Sequence, residues 1–197
     1  AVTAYRSVGI AARQVYTPRW AHCDDNHAWV EVFVNGEWHF LGACEPEEVL
    51  DTGWFSGPAN RAILIHTRNF SDYVKESNEE YLGKEGALHY FNHTSFYGRT
   101  KLVKILVKDE KGKPAAGAHV VVEILNMAEF FPAAAVIADA DGEVQMTLGL
   151  GDIRVRAFDG IRRAEAMMRI EEEDSLELVL REEAVPEADD RWQTLEI

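Results

Sequence analysis

Cysteine is scarce in this 197-residue chain: Cys23 and Cys44 are its two. That is too few for a disulfide framework, and they either pair once or stay free. Basic residues are also short, with 20 lysines and arginines against 34 aspartates and glutamates, a formal net charge of −14. Such a balance excludes nucleic acid as a partner, because a phosphate backbone demands basic patches. No apolar run approaches the roughly 20 residues that a membrane-spanning helix needs. The residues given hold no signal-peptide pattern. What the chain has in quantity is apolar side chain, 47% of its residues, enough for a core in one large domain or two small ones.

The most organised stretch is residues 26–41, Asn26-His27-Ala28-Trp29-Val30-Glu31-Val32-Phe33-Val34-Asn35-Gly36-Glu37-Trp38-His39-Phe40-Leu41. Two runs rich in Val, Phe and Trp flank Asn35-Gly36, and a type I′ turn favours that dipeptide because both central residues take positive φ. The spacing predicts a β-hairpin with His27 where its first strand begins, after the polar loop His22-Cys23-Asp24-Asp25-Asn26. Trp29 falls on the face of His27 and is placed to shield it from water. Glu31 shares that face and reads as a solvated strand residue. The run 22–27 holds residue types that bind zinc, but its spacing matches no common finger, and neither metal nor another cofactor is expected.

Two blocks carry a family resemblance. His27-Ala28-Trp29-Val30-Glu31-Val32 followed by Asn35-Gly36-Glu37-Trp38 resembles the histidine hairpin of the transglutaminase-like superfamily. Arg6-Ser7-Val8-Gly9-Ile10-Ala11-Ala12-Arg13-Gln14-Val15 resembles that family's L-R-x-x-G-I-P-A-R-x-V segment, with Ala11-Ala12 where the proline usually stands. The resemblance implies an α+β domain with a papain-like Cys-His-Asp thiol site, whose cysteine opens a helix and whose histidine and acid lie on neighbouring strands. Residues 1–8 are helical in composition, with Val2, Tyr5 and Val8 at three-residue spacing and Gly9 as a C-cap. In the resembled family the nucleophile opens this helix a few residues earlier. The expectation is therefore a piece of a longer protein, with its cysteine upstream and no activity as given; the other reading is a domain that never had one.

The family's acid follows the second strand in a W-x-x-x-D-P pattern, which falls on Gly42. This chain reads Gly42-Ala43-Cys44-Glu45-Pro46 instead. Hairpin arithmetic sets His27 opposite Cys44 and puts Glu45 on the wrong face, unless a bulge near Gly42 turns it back. The candidate catalytic residues are His27 as general base and Glu45 as the carboxylate that orients it. The candidates for lining a substrate cleft are Trp20, Trp29, Trp54 and Cys44. Cys23, in its polar loop, reads as a bystander, with a substitute nucleophile as the alternative.

Beyond residue 60 the pattern changes. Residues 61–67 read as a strand closing the first sheet, and residues 72–86 as a charged, exposed excursion. From residue 102 onward short alternating strands are divided by Asp109-Glu110-Lys111-Gly112-Lys113-Pro114, Asp139-Ala140-Asp141-Gly142-Glu143 and Gly149-Leu150-Gly151-Asp152, the rhythm of a β-sandwich. The series resembles the transthyretin-like fold of carboxypeptidase regulatory-like domains, which implies a spacer or binding module on a secreted or cell-surface protein, here a bacterial one. Asp139 and Asp141 lack the other ligands of an EF-hand and read as a solvated turn. The expected fold class is α+β: a partial transglutaminase-like domain over 1–98, an all-β Ig- or transthyretin-like sandwich over 99–182, and an acidic tail over 183–197. The implied function is acyl transfer on peptide or amide bonds, by hydrolysis or cross-linking, with a protein or peptide as substrate. The alternative is a non-catalytic module that binds peptide or glycan through its aromatic loops.

Overall fold

The computed structural model describes residues 1–70 and 79–182. The acidic tail expected over 183–197, and most of the first half of the charged excursion expected over 72–86, lie outside the described residues. The fold is all-β, which corrects the α+β expectation. The helical part expected at the start is α1, Val2–Ser7, six residues with no buried side chain and no side-chain cap. Two further helices, α2 (Ser56–Ala59) and α3 (Thr94–Tyr97), are single turns. A helix of six residues is too short to be stable on its own propensity, so the strands carry the fold.

The first sheet is six-stranded, in the order β3-β2-β1-β4-β6-β5. Its strands are β1 (Ala12–Thr17), β2 (His27–Val34), β3 (Glu37–Leu41), β4 (His66–Phe70), β5 (Glu80–Glu85) and β6 (Leu88–Asn92). The β2–β3 hairpin turns where the sequence says, with Asn35 at φ 55° and Gly36 at φ 90°. Alternation along β2 sends Val30 and Val32 to one face, where they pack with Ala12 and Leu41 beneath α1. Trp29 goes to the other face, into a core with Val15, Trp20, Phe55, Ile65 and Tyr97.

The second sheet has seven strands, in the order β10-β7-β13-β12-β11-β8-β9. These are β7 (Thr100–Asp109), β8 (His119–Asn126), β9 (Glu129–Ile137), β10 (Glu143–Gly149), β11 (Asp152–Phe158), β12 (Arg162–Arg169) and β13 (Ser175–Glu182). β12 and β13 pair over Arg162↔Glu182 and Arg163↔Arg181 alone. The sheet folds over at that narrow seam and encloses a sandwich-like core of alternate residues, among them Val103, Ile105, Val120, Val122, Met146, Ile153, Val155 and Leu180. Met168 is buried in it while its neighbour Met167 is exposed, as period-two alternation requires.

The sheets meet through main chain. Ile63 and Leu64, in the extended segment before β4, are fully buried in the second sheet's core, and the Ile63 carbonyl accepts the Gly149 N–H at 2.9 Å. Any side chain at Gly149 would collide with the Ala62 carbonyl. Asn126, at the end of β8, accepts the Asp25 N–H at 3.0 Å and donates to the Trp20 and Cys23 carbonyls at 2.8 Å each. One amide of the second sheet thereby pins the loop that precedes His27.

Candidate functional site around His27

β2 begins at His27, and pairing with Thr17 of β1 fixes its main chain. Four aromatic rings surround the imidazole. Trp20 and Trp29 stack near parallel to it at 6.3 and 5.7 Å between centroids, Phe55 tilts at 5.0 Å, and Trp54 meets it edge-on at 4.6 Å. Trp20, Trp29 and Phe55 are themselves buried, whereas Trp54 is 55% exposed. Trp20 is therefore a wall of the site, and Trp54 is the tryptophan that meets solvent. The His27 Nε2 atom is buried and has no hydrogen-bond partner among the described residues. Burial pushes the imidazole pKa below its ordinary value, and the Glu45 carboxylate pulls it part of the way back. At neutral pH the ring is neutral and able to take a proton.

Glu45 reaches this neighbourhood because the chain folds back after β3. Ladder pairing between β2 and β3 ends at Val30↔Leu41, so Cys44 is not the cross-strand partner of His27 that the extended register predicts. Gly42 lets the turn close: a Cβ there would sit 2.5 Å from the Glu45 carbonyl oxygen. The position where the resembled family keeps its aspartate is thus sterically filled by main chain. The Glu45 carboxylate accepts the Trp54 Nε1–H at 3.0 Å and acts on His27 through its charge. Cys44 and Cys23 are both exposed free thiols.

Beneath the aromatic wall lies a charged network that sequence reasoning missed. Glu31 is not solvated; it is fully buried. Its Oε2 takes the Arg13 Nε–H at 2.6 Å, from the residue directly opposite on β1, and its Oε1 takes the Tyr97 hydroxyl at 2.5 Å. His93 Nε2 lies 3.2 Å from the same Oε1. These partners together hold the Glu31 pKa below its usual value against a burial penalty that acts the other way. The Tyr97 hydroxyl in turn accepts the Trp29 Nε1–H at 2.8 Å. Trp29 is therefore fixed at its rim by the Tyr97 hydroxyl, which the buried Glu31 carboxylate holds in turn, and its face carries His27. The signal lay in the period-two face that Glu31 shares with Trp29; Arg13, Tyr97 and His93 come from distant segments.

A second histidine–carboxylate pair lies on β3. His39 Nδ1 and Asp51 Oδ2 are 2.7 Å apart, and Asp51 Oδ1 also takes the Phe40 N–H at 2.9 Å. The hydrogen bond to Asp51 raises the His39 pKa. A cleft of about 370 Å³ runs along the other side of the hairpin, between Ala1, Val2 and Thr3 at α1 and Ala28, Trp29, Val30 and Ala43. No group of three or more His, Cys, Asp or Glu side chains suited to a metal occurs among the described residues.

With the geometry in place, comparison with known proteins adds a short match. The sequence model of the transglutaminase-like superfamily matches residues 1–43, which takes in α1, β1, the His27 loop and the β2–β3 hairpin and stops before Glu45. No curated protein matches the chain. Among solved structures, a streptococcal ancillary pilin aligns at 10% identity with a TM-score of 0.34, covering 87% of this chain. The chain spans 62% of that pilin's length. No helix among the described residues is long and apolar enough to cross a membrane.

Proposed function

We propose that His27 is the general base of a transglutaminase-like thiol site that performs acyl transfer on peptide or amide bonds. One observation carries the reading: a neutral imidazole at the mouth of β2, within the matched residues, whose buried Nε2 has no partner among the described residues. In this reading a cysteine thiol meets the His27 ring on the face of β2 that carries Trp29, opposite the face covered by α1. His27 takes the thiol proton, and the thiolate attacks the acyl carbon. The tetrahedral adduct collapses to a thioester as His27 returns the proton to the leaving amine. Water or a second amine, deprotonated by His27, then releases the acyl group as acid or as a new amide. Glu45 stabilises the imidazolium by charge, with Trp54 holding its carboxylate. Trp20 and Trp29 exclude water, and exposed Trp54, with Cys44 nearby in sequence, borders the substrate. The second sheet, from residue 99, is a spacer or binding module on a cell-surface or secreted protein.

The reading takes its nucleophile from neither Cys23 nor Cys44, both exposed free thiols. The test is to express the protein from its gene with whatever is encoded before Ala1, and to measure iodoacetamide alkylation of each cysteine against pH. A cysteine encoded shortly before Ala1, alkylated fast at neutral pH and slowed by His27→Ala, with loss of peptide or amide turnover in that variant, is the expected result. A gene without such a cysteine, or alkylation indifferent to His27, ends the thiol reading.

A further inference from the structure

Away from His27, a cavity of about 480 Å³ lies between the two sheets, bounded by Tyr16, Arg19, His66, Arg68, Tyr90 and Phe131 among others. Its cations are stacked by their faces: the Arg68 guanidinium lies 3.9 Å over Tyr16, and that of Arg19 lies 4.1 Å over Phe131. Face stacking satisfies the π surface of a guanidinium and leaves its in-plane N–H groups for other partners; of these, Arg19 Nη1 donates to the Pro18 carbonyl at 2.9 Å. Arg19 Nε, Arg68 Nε and His66 Nδ1 are buried without a partner among the described residues, and all belong to this lining. His66 is only 4% exposed. A buried polar atom left unpaired costs about 1–3 kcal/mol, so two guanidinium N–H donors and an imidazole nitrogen in one cavity mark a place built to receive a polar ligand.

The charge pattern says which kind. In a chain with a net charge of −14, other enclosed arginines are neutralised, buried Arg13 by Glu31 at 2.6 Å and half-buried Arg154 by Glu123 at 2.6 Å. Arg68 has no carboxylate within ion-pair distance among the described residues, and Arg19 has Asp25 at 3.9 Å. Lys84 adds a further positive charge to the lining. Glu85, the carboxylate in the lining, takes the Tyr90 hydroxyl at 3.0 Å. We propose that this cavity is a binding site for a small oxyanion-bearing molecule, a carboxylate or a phosphate ester, held by Arg19 and Arg68 with His66 Nδ1 as a third polar contact. It is independent of the reading of His27.

The test is a titration of the ¹⁵N-labelled chain at constant ionic strength, with inorganic phosphate in one arm and benzoate in the other. The probes observed are the Arg68 Nε–H and the His66 ring nitrogens. Saturable shifts in either arm, weakened about tenfold by Arg68→Gln and unchanged by Arg61→Gln in a different cavity, are the expected result. The arm that saturates identifies the anion class. Should Arg68→Gln fail to fold, Arg19→Gln serves the same comparison. Shifts that stay linear with both anions, or equal affinity in the arginine variants, overturn the proposal.

Discussion

The Glu45 carbonyl oxygen lies 2.5 Å from the point where a side chain at Gly42 would begin. That approach is available only to glycine, and it sets the path that carries Glu45 to Trp54 and into the field of His27. Gly42→Ala should therefore displace residues 43–46 and destabilise the chain by about 1–3 kcal/mol, the usual cost of forcing atoms into a filled space. Urea denaturation measures the cost, and Trp54 fluorescence reports the loss of its hydrogen bond to Glu45. Unchanged stability together with unchanged fluorescence would sink the account of this turn.

Glu45→Gln isolates the electrostatic half of the same relationship. Burial lowers the His27 pKa, and Glu45 is the charge that opposes it. Removing that charge should lower the pKa further, which an NMR titration of the His27 ring follows directly. A rise, or no movement, would show that Glu45 does not act on His27.

Much of this was legible in the sequence, and the rest failed for physical reasons. Asn35-Gly36 fixed the hairpin because turn chemistry is local, and the Gly/Asp turns after residue 108 marked the second sheet for the same reason. The α+β expectation failed because the helix expected over residues 1–8 forms as six residues, Val2–Ser7, with no buried side chain, while strands build both sheets. Strand β12, Arg162–Arg169, was hidden by charged residues at alternate positions facing solvent. Glu31 read as solvated because a strand face does not announce its partners: Arg13 and Tyr97 close over it only when β1 and α3 arrive. The extended register set Cys44 opposite His27, and it fails because the ladder stops at Leu41 and the chain turns back at Gly42.

The buried network below His27 predicts two graded losses. Tyr97→Phe leaves the Trp29 Nε1–H without its acceptor and removes one hydrogen bond from Glu31, which should cost about 1–3 kcal/mol. Glu31→Leu removes the nearer carboxylate of the buried Arg13 guanidinium, leaving it Glu79 at 3.3 Å and His93 at 3.1 Å, and should cost about 3–5 kcal/mol. Thermal and denaturant unfolding of the two variants check the order. Equal or negligible losses would show that the network does not support the site.

Asn126 offers a test of how the second sheet supports the first. Its amide donates to the Trp20 and Cys23 carbonyls and accepts from the Asp25 N–H. Asn126→Asp keeps the acceptor but turns a carboxylate toward two carbonyl oxygens. The variant should lose about 1–3 kcal/mol and speed alkylation of Cys23 relative to Cys44, as the loop loosens. Asn126→Ala should loosen the loop by the same route without the repulsion. Parent-like Cys23 kinetics in both variants would mean that the loop is held by other contacts.

His66 sets the acid limit of stability. Burial, reinforced by the Arg68 charge, lowers its pKa from 6.5 to about 4, with the Thr67 main chain pulling weakly the other way. The rings that face it, Tyr16 at 5.5 Å and Tyr90 at 5.2 Å, bring no charge to offset protonation. The unfolded chain binds a proton at this histidine near pH 6.5, and the folded chain refuses it until about pH 4. The contribution is therefore complete above pH 6.5 and is lost as pH falls through that window, to a total of about 3 kcal/mol. In the His66→Phe variant, denaturant unfolding should show a shallower decline of stability between those two pH values, whatever its absolute stability. Slopes identical to the parent's would show that His66 is not held neutral. Saturating anion in the cavity should reduce the parent's slope, because a bound negative charge favours the imidazolium that burial opposes.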